Sequence, residues 1–358
     1  MRNRRGFLAG LLAASLTPRL SWADAGAPAL LSAGRAPDGA YFLYGVSHQG
    51  APTFRIPIPD RGHAAAAHPD RPVAVAFARR PGRFAVVLNC VTGAEIARLS
   101  APEGRHFYGH GMFSPDGATL FTTENDFEAG EGRIGLWDAT AGYRRMGEVS
   151  SAGVGPHEMR LMPDDRTLVV ANGGVETHPD SGRAKLNLPV MQPNLAYLSL
   201  DGAVLEVVQM PPEHRQNSIR HLDVSGDGLV AFAMQWQGEE TELRPVLGLH
   251  KRGAAPRAVP GSEIEMRAMN GYGGSVAFFD GGAQVAVSSP RGGRVQLSNV
   301  TTGRIAQSVE IEDVCGLGLL GGRLLTSSGT GQLQWIDGAS LSRARIAWDN
   351  HLIPINAG

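Results

Sequence analysis

The sequence predicts an all-β fold, a seven-bladed β-propeller of four-stranded antiparallel blades, and three observations carry that prediction. Short β-like runs alternate with Gly, Pro and Asp turns along the chain. The unit they form recurs about every 48 residues, within the range for propeller blades. A histidine also returns at one point of the unit. His63, His110, His157 and His221 each stand five or six residues ahead of a tight turn. Those turns read Pro69-Asp70-Arg71, Pro115-Asp116-Gly117, Pro163-Asp164-Asp165 and Gly226-Asp227-Gly228.

In chain order, residues 1–25 read as an export signal. Arg4-Arg5-Gly6-Phe7-Leu8 is a twin-arginine n-region, an apolar stretch follows, and Ala23-Asp24-Ala25 is a small-x-small cleavage site. That apolar stretch is about half the roughly 20 residues needed to span a bilayer. Residues 26–358 then form one propeller domain, exported to the periplasm, with no membrane span after signal cleavage.

The third unit is the clearest blade, with strands expected at 110–114, 118–125, 132–138 and 144–150. The fourth repeats it at 157–162, 166–172, 194–200 and 203–210. Between its second and third strands lies an insertion, 173–193, rich in Gly, Pro and Asn; long loops on repeat proteins often carry function. The same spacing gives anchors at Leu31, His63, His110, His157, His221, Gly274 and Cys315, hence seven units. A β-sandwich would not repeat seven times in register, and a parallel β-helix needs a shorter period. The tail 343–355 is expected to pair with strands near the N-terminus, because an open sheet edge would otherwise be exposed.

Composition excludes other classes. Hydrophobic content of 42% is ample for a core, and a net charge of −1 does not suit a nucleic-acid binder. The two cysteines, Cys90 and Cys315, fall on non-adjacent blades and are expected to be unpaired.

The first strand of a propeller blade lines the central channel, so a residue fixed at its start becomes a ring near one mouth. The candidate site is therefore a metal site of His63, His110, His157 and His221, with Glu158 and Cys315 as further members. Neutral imidazoles suit iron or copper, ahead of zinc, and a thiolate would favour copper(I) or zinc. Glu158 is either a ligand or an acceptor that fixes a ring tautomer. The same recurrence also serves a structural end, in which each imidazole bonds neighbouring backbone and locks blade to blade.

No Cys-x-x-Cys-His is present for covalent haem, and no dinucleotide fingerprint, phosphate loop or nucleophile elbow stands out. The reading is thus of a protein that is not an enzyme in its own right, without a nucleotide cofactor. Lactonase-like chemistry, with a calcium cage of Glu124, Asn172 and Asp223, is one alternative. Quinoprotein or haem-linked oxidation is another, although Trp137, Trp236 and Trp335 read as strand residues packed between blades. A metal-free docking module is the third. His178, in the insertion, reads as solvated or as a cap on the channel.

Several phrases resemble the broad YVTN-type and quinoprotein-type periplasmic propellers, notably residues 110–117 and Pro156-His157-Glu158. Over the whole mature chain the closer resemblance is to the DUF1513 family. It is carried by Arg105-His106-Phe107-Tyr108-Gly109-His110-Gly111, Thr123-Glu124-Asn125-Asp126, Gly155-Pro156-His157-Glu158, Asn172-Gly173-Gly174, Ser218-Ile219-Arg220-His221-Leu222 and Asn270-Gly271-Tyr272-Gly273-Gly274-Ser275. The resemblance implies twin-arginine export and a setting of iron or other metal uptake, beside imelysin-like proteins and dihaem-type oxidoreductases. It brings no catalytic residues.

Overall fold

In the computed structural model, which describes residues 20–79, 83–182 and 184–355, seven antiparallel sheets stand around a central channel. Each sheet is a meander of short strands, as in blade two: Gly62–Ala67, Val73–Ala78, Ala85–Asn89 and Glu95–Leu99. The predicted blades three and four are found, with their strand ends moved by a few residues. The inner strand of blade three, Arg105–Phe113, starts five residues earlier than its histidine suggested.

Position across the blade follows from composition. Second strands such as Val73–Ala78 and Thr167–Asn172 are buried along their whole length, so both faces are apolar or small. Outer strands such as Arg304–Glu310 face water, with only Ile305 and Val309 half-buried in that strand. Between neighbouring blades the large side chains interlock. Phe77, Phe107, Leu120 and Trp137 join blades two and three, and Tyr197, Phe232 and Met234 join blades four and five. Each such side chain contributes about 1.5–3 kcal/mol by leaving water.

The ring closes through the expected tail. Ala347–Trp348 and Ile353–Pro354 both pair antiparallel with Leu30–Arg35 and so take the inner-strand place of blade one. Leu30–Arg35, expected to anchor that blade at Leu31, is therefore its second strand, followed by Tyr41–Val46 and Pro52–Pro57. The sequence repeat runs from each anchor to the turn that follows it. It could not assign an inner strand supplied by the other end of the chain.

Residues 1–19, which carry the twin arginines and the apolar stretch, lie outside the described residues. The expected cleavage site lies in a short 3₁₀ turn, Trp22–Ala25, that packs into the core of blades one and two. Trp22 Nε1 donates to the His68 carbonyl at 2.9 Å, a contact that a chain starting at Gly26 lacks. No helix among the described residues is long and apolar enough to cross a membrane. Cys90 and Cys315 are both buried free thiols.

Candidate metal centre in the channel

Inner strands reach the axis through a shared irregularity. In blade two, Gly62 pairs with Ala78 but Ala65 with Ala76, so the strand carries one extra residue at His63. Blade four has one extra at His157, between Pro156 and Glu158. Blade five has one between Ile219 and His221. Blade three has two, between Phe107 and Gly111, and they hold His110. A bulge bends the strand and re-aims a side chain out of the pleat. Here it turns each imidazole into the channel. Gly109 serves the same end: its φ of +97° suits glycine, and a Cβ there would lie 2.7 Å from the His63 ring.

The closing segment obeys the same rule. Trp348 pairs with Gly34 and Ile353 with Leu31, leaving two extra residues in the stretch that holds His351. His351 is thus the blade-one member of the ring, a residue the sequence reading passed over. Ser32 Oγ donates to its carbonyl at 2.9 Å. Two residues earlier, Asp349 is held by Arg61 Nε at 2.6 Å and Arg79 Nη1 at 3.1 Å, both from blade two.

The five imidazoles form one cluster. Ring centroids of His221 and His351 lie 4.6 Å apart, His63 and His110 4.8 Å, His110 and His351 4.8 Å, and His157 and His221 4.8 Å. In each of two triads, His63–His110–His157 and His110–His221–His351, the donor nitrogens lie within 4.8 Å of one another, and His110 belongs to both. Four of the five are buried and His157 is half-buried. The cluster therefore lies inside the channel rather than at a mouth, as the spacing had suggested.

Hydrogen bonding separates this cluster from structural histidines. His250 is satisfied at both nitrogens, by Tyr197 Oη at 2.6 Å and the Ala254 carbonyl at 2.9 Å. In the cluster, His63 Nδ1, His157 Nδ1, His110 Nε2 and His351 Nε2 are buried without a hydrogen-bond partner, and His63 Nε2 faces His157 Nε2 at 3.4 Å. Buried polar atoms are rarely left so, because each costs about 1–3 kcal/mol. Burial, then the crowding of the other imidazoles and nearby guanidinium groups, pushes the pKa of His63, His110, His157 and His351 well below 6.5. These rings are neutral, with lone pairs available.

Glu158 sits behind the cluster. One carboxylate oxygen accepts from His221 Nδ1 at 3.1 Å and from the Leu222 amide at 3.2 Å, and the other pairs with Arg160 at 2.8 Å. Burial alone would raise this carboxyl, but Arg160 and His221 hold it at about 2. Being an acceptor only, it holds the proton on Nδ1 and leaves Nε2 as the lone-pair nitrogen of His221. Of the two roles the sequence left open for Glu158, this is the tautomer-fixing one.

Cys315 is not among the converging donors. It sits in the blade-seven bulge, its Sγ directed at the Asp313 carbonyl at 3.2 Å. Burial, with Asp313 and Asp349 adding, pushes its thiol up to about 12. The proposed calcium cage does not assemble. Glu124 gives both oxygens to Arg145, Asn172 bonds Ser151 and Asn194, and Asp223 accepts from the Phe278 amide. Trp236 lines the channel mouth, with the Arg244 guanidinium over its ring. His178 stands edge-on to Phe127 and accepts from the Asp180 amide, away from the axis.

A cavity opens at each side of the cluster. One, of about 660 Å³, has His63, His157 and His221 at its floor and a wall rich in Arg. The other, of about 630 Å³, lies at the end marked by the Pro69 and Pro115 turns and is lined by His110, Glu158, Arg160 and Asp223.

The sequence matches the family described as "Protein of unknown function (DUF1513)" over residues 56–355. No protein with a curated description matches it. Among solved structures, hydrazine synthase of Kuenenia stuttgartiensis is similar, with a TM-score of 0.61 over 87% of this chain and 94% of that one. At 14% identity that likeness is one of fold.

Proposed function

The chain belongs to the DUF1513 family, and we propose that its channel histidines bind a transition-metal ion, as a periplasmic propeller that serves metal uptake or handling. The observation that carries this reading is the pair of triads whose donor nitrogens lie within 4.8 Å of one another, in rings that also hold buried nitrogens without hydrogen-bond partners. A bound cation takes up the lone pairs that protein atoms leave unused. Neutral rings compete well for metal, since no proton has to be displaced from them.

Iron and copper come ahead of zinc because neutral imidazole suits both, and a three-histidine set leaves positions open for the further ligands that they accept. Glu158 orients one ligand and raises its basicity, and Arg160 keeps that carboxylate ionised. Envelope partners of the imelysin-like and dihaem-oxidoreductase kinds remain part of the proposal, as does twin-arginine export. An exported protein that carries metal gains from folding, and from selecting its metal, before it crosses.

Elemental analysis of the protein purified from its native envelope, beside a His110→Ala/His157→Ala variant, tests the reading. Stoichiometric iron or copper that is absent from the variant is the expected result. Metal in neither, with both proteins folded, would favour the docking alternative. The 173–193 insertion, which leaves Leu186 and Val190 exposed, is where that partner should then be sought.

A further inference from the structure

We infer that the Arg-lined mouth is a binding site for a small polycarboxylate anion, seated directly above the histidines. Its link to the metal rests on the reading just given; its recognition of an anion does not. Among the described residues, six cationic side chains line this cavity: Arg35, Arg61, Arg79, Lys185, Arg220 and Arg291. The carboxylates lining it, among the described residues, are Asp313 and Asp349, and Asp349 is already neutralised by Arg61 and Arg79 at 2.6 and 3.1 Å. A concave wall with one sign of charge in excess focuses field on its ligand. The opposite mouth has no such excess, since Arg160 there is matched by Glu158 and lies beside Asp223.

The cations come from several directions. Arg35 stands on blade one, Arg61 and Arg79 on blade two, Arg220 on blade five, Arg291 on blade six, and Lys185 on the long insertion. This spread suits several anionic groups on one molecule better than a single compact anion. Guanidinium forks match carboxylates in two parallel hydrogen bonds. Arg291 is held ready over the Tyr272 ring, 4.7 Å from its centroid. The volume of about 660 Å³ lies within the range of small-molecule sites. The imidazole floor completes the argument, because carboxylate oxygens from above are good further ligands for a metal held by nitrogen from below.

Calorimetric titration of the full-length, metal-free protein with citrate tests the anion site by itself. Citrate should bind at least about tenfold more tightly than acetate or inorganic phosphate, and less tightly as salt rises. Arg35→Gln/Arg291→Gln should weaken citrate by about tenfold or more with the melting temperature and metal content unchanged. Absence of citrate binding, equal binding by the double variant, or phosphate binding as tightly as citrate would each overturn the proposal. A His110→Ala/His351→Ala variant separates the two readings. It should lose metal yet keep metal-free citrate binding, so a failed metal site leaves the citrate result decisive. Added iron or copper should tighten citrate in the parent protein alone; no such tightening would remove the link between the two sites.

Discussion

Blades one to five each bring a histidine to the axis, whereas blades six and seven do not. The inner strand of blade six, Ser275–Phe279, pairs with its neighbour in unbroken register and starts with a serine where the others have a bulge. Blade seven has a bulge but fills it with Cys315 and Gly316. The small residues of this arc have a different task. Ser275 Oγ accepts from the Leu317 amide and Ser288 Oγ donates to the Cys315 carbonyl, so blade six holds blade seven. Gly316 lets the closing segment pass, since a Cβ there would lie 3.0 Å from the Leu352 amide nitrogen and 3.1 Å from the His351 carbonyl carbon. One arc supplies imidazoles, and the other makes room for the strand that delivers the fifth.

The sharpest way to break this division is to stop the chain at Arg345. That change removes His351 and exposes the places where Trp348, Leu352 and Ile355 are buried. At about 1.5–3 kcal/mol for each apolar side chain, the loss approaches the whole stability of an ordinary domain. Calorimetry should show the cooperative transition lost or shifted far down, and a truncated chain that melts normally would mean the ring closes without its tail.

Acid should act on the ligand arc next. The folded pKa of four imidazoles lies well below 6.5, so beneath pH 6.5 the unfolded chain takes up protons that the folded chain refuses. Stability contributed by their neutrality is intact above that value and falls as pH drops, by at most about 1.4 kcal/mol per pH unit for each ring. Glu158, held at about 2 against an ordinary 4.5, adds a second loss as pH falls from 4.5 towards 2. Denaturant midpoints measured from pH 8 to 4 should be flat and then decline, and a profile flat throughout would show that the rings are hydrated and not buried.

Single histidines should then part into two kinds. His110→Ala removes a member of both triads and should lower metal affinity by about 100-fold or more while costing the metal-free fold little, because its Nε2 has no partner to lose. His250→Ala should do the reverse, leaving metal affinity unchanged and destabilising by about 2–3 kcal/mol through the orphaned Tyr197 hydroxyl. Melting curves with and without metal read both effects. The smallest change is Gly316→Ala, which must shift the closing segment and should cost about 1–3 kcal/mol, with a matching loss of metal affinity if His351 is a ligand.

The contrast between arcs also explains what could be read from sequence. Seven blades, the four histidines and the pairing of the tail follow from turn chemistry and period, which are local properties. The spacing from His63 to Pro69 repeats because the strand between them is of fixed length. His351 has no turn downstream of it in its own blade, since the strand that continues that blade is at the chain's beginning. Bulges are equally hidden, because pairing register is a property of two strands and the run Gly62-His63-Ala64 betrays nothing by itself. Depth in the channel was misjudged for that reason.

The fifth imidazole has a consequence for the order of events in the cell. Four members of the cluster are translated in turn, but His351 follows only after blade seven has been made. Until that strand threads back against Leu30–Arg35, a nascent chain holds at most four of the five imidazoles. The complete histidine cluster is thus the final event of assembly, and its formation certifies that the ring is shut. A circular permutant beginning near Arg345, with the present ends joined, would put all five histidines in one uninterrupted run and transfer that last step to blade seven.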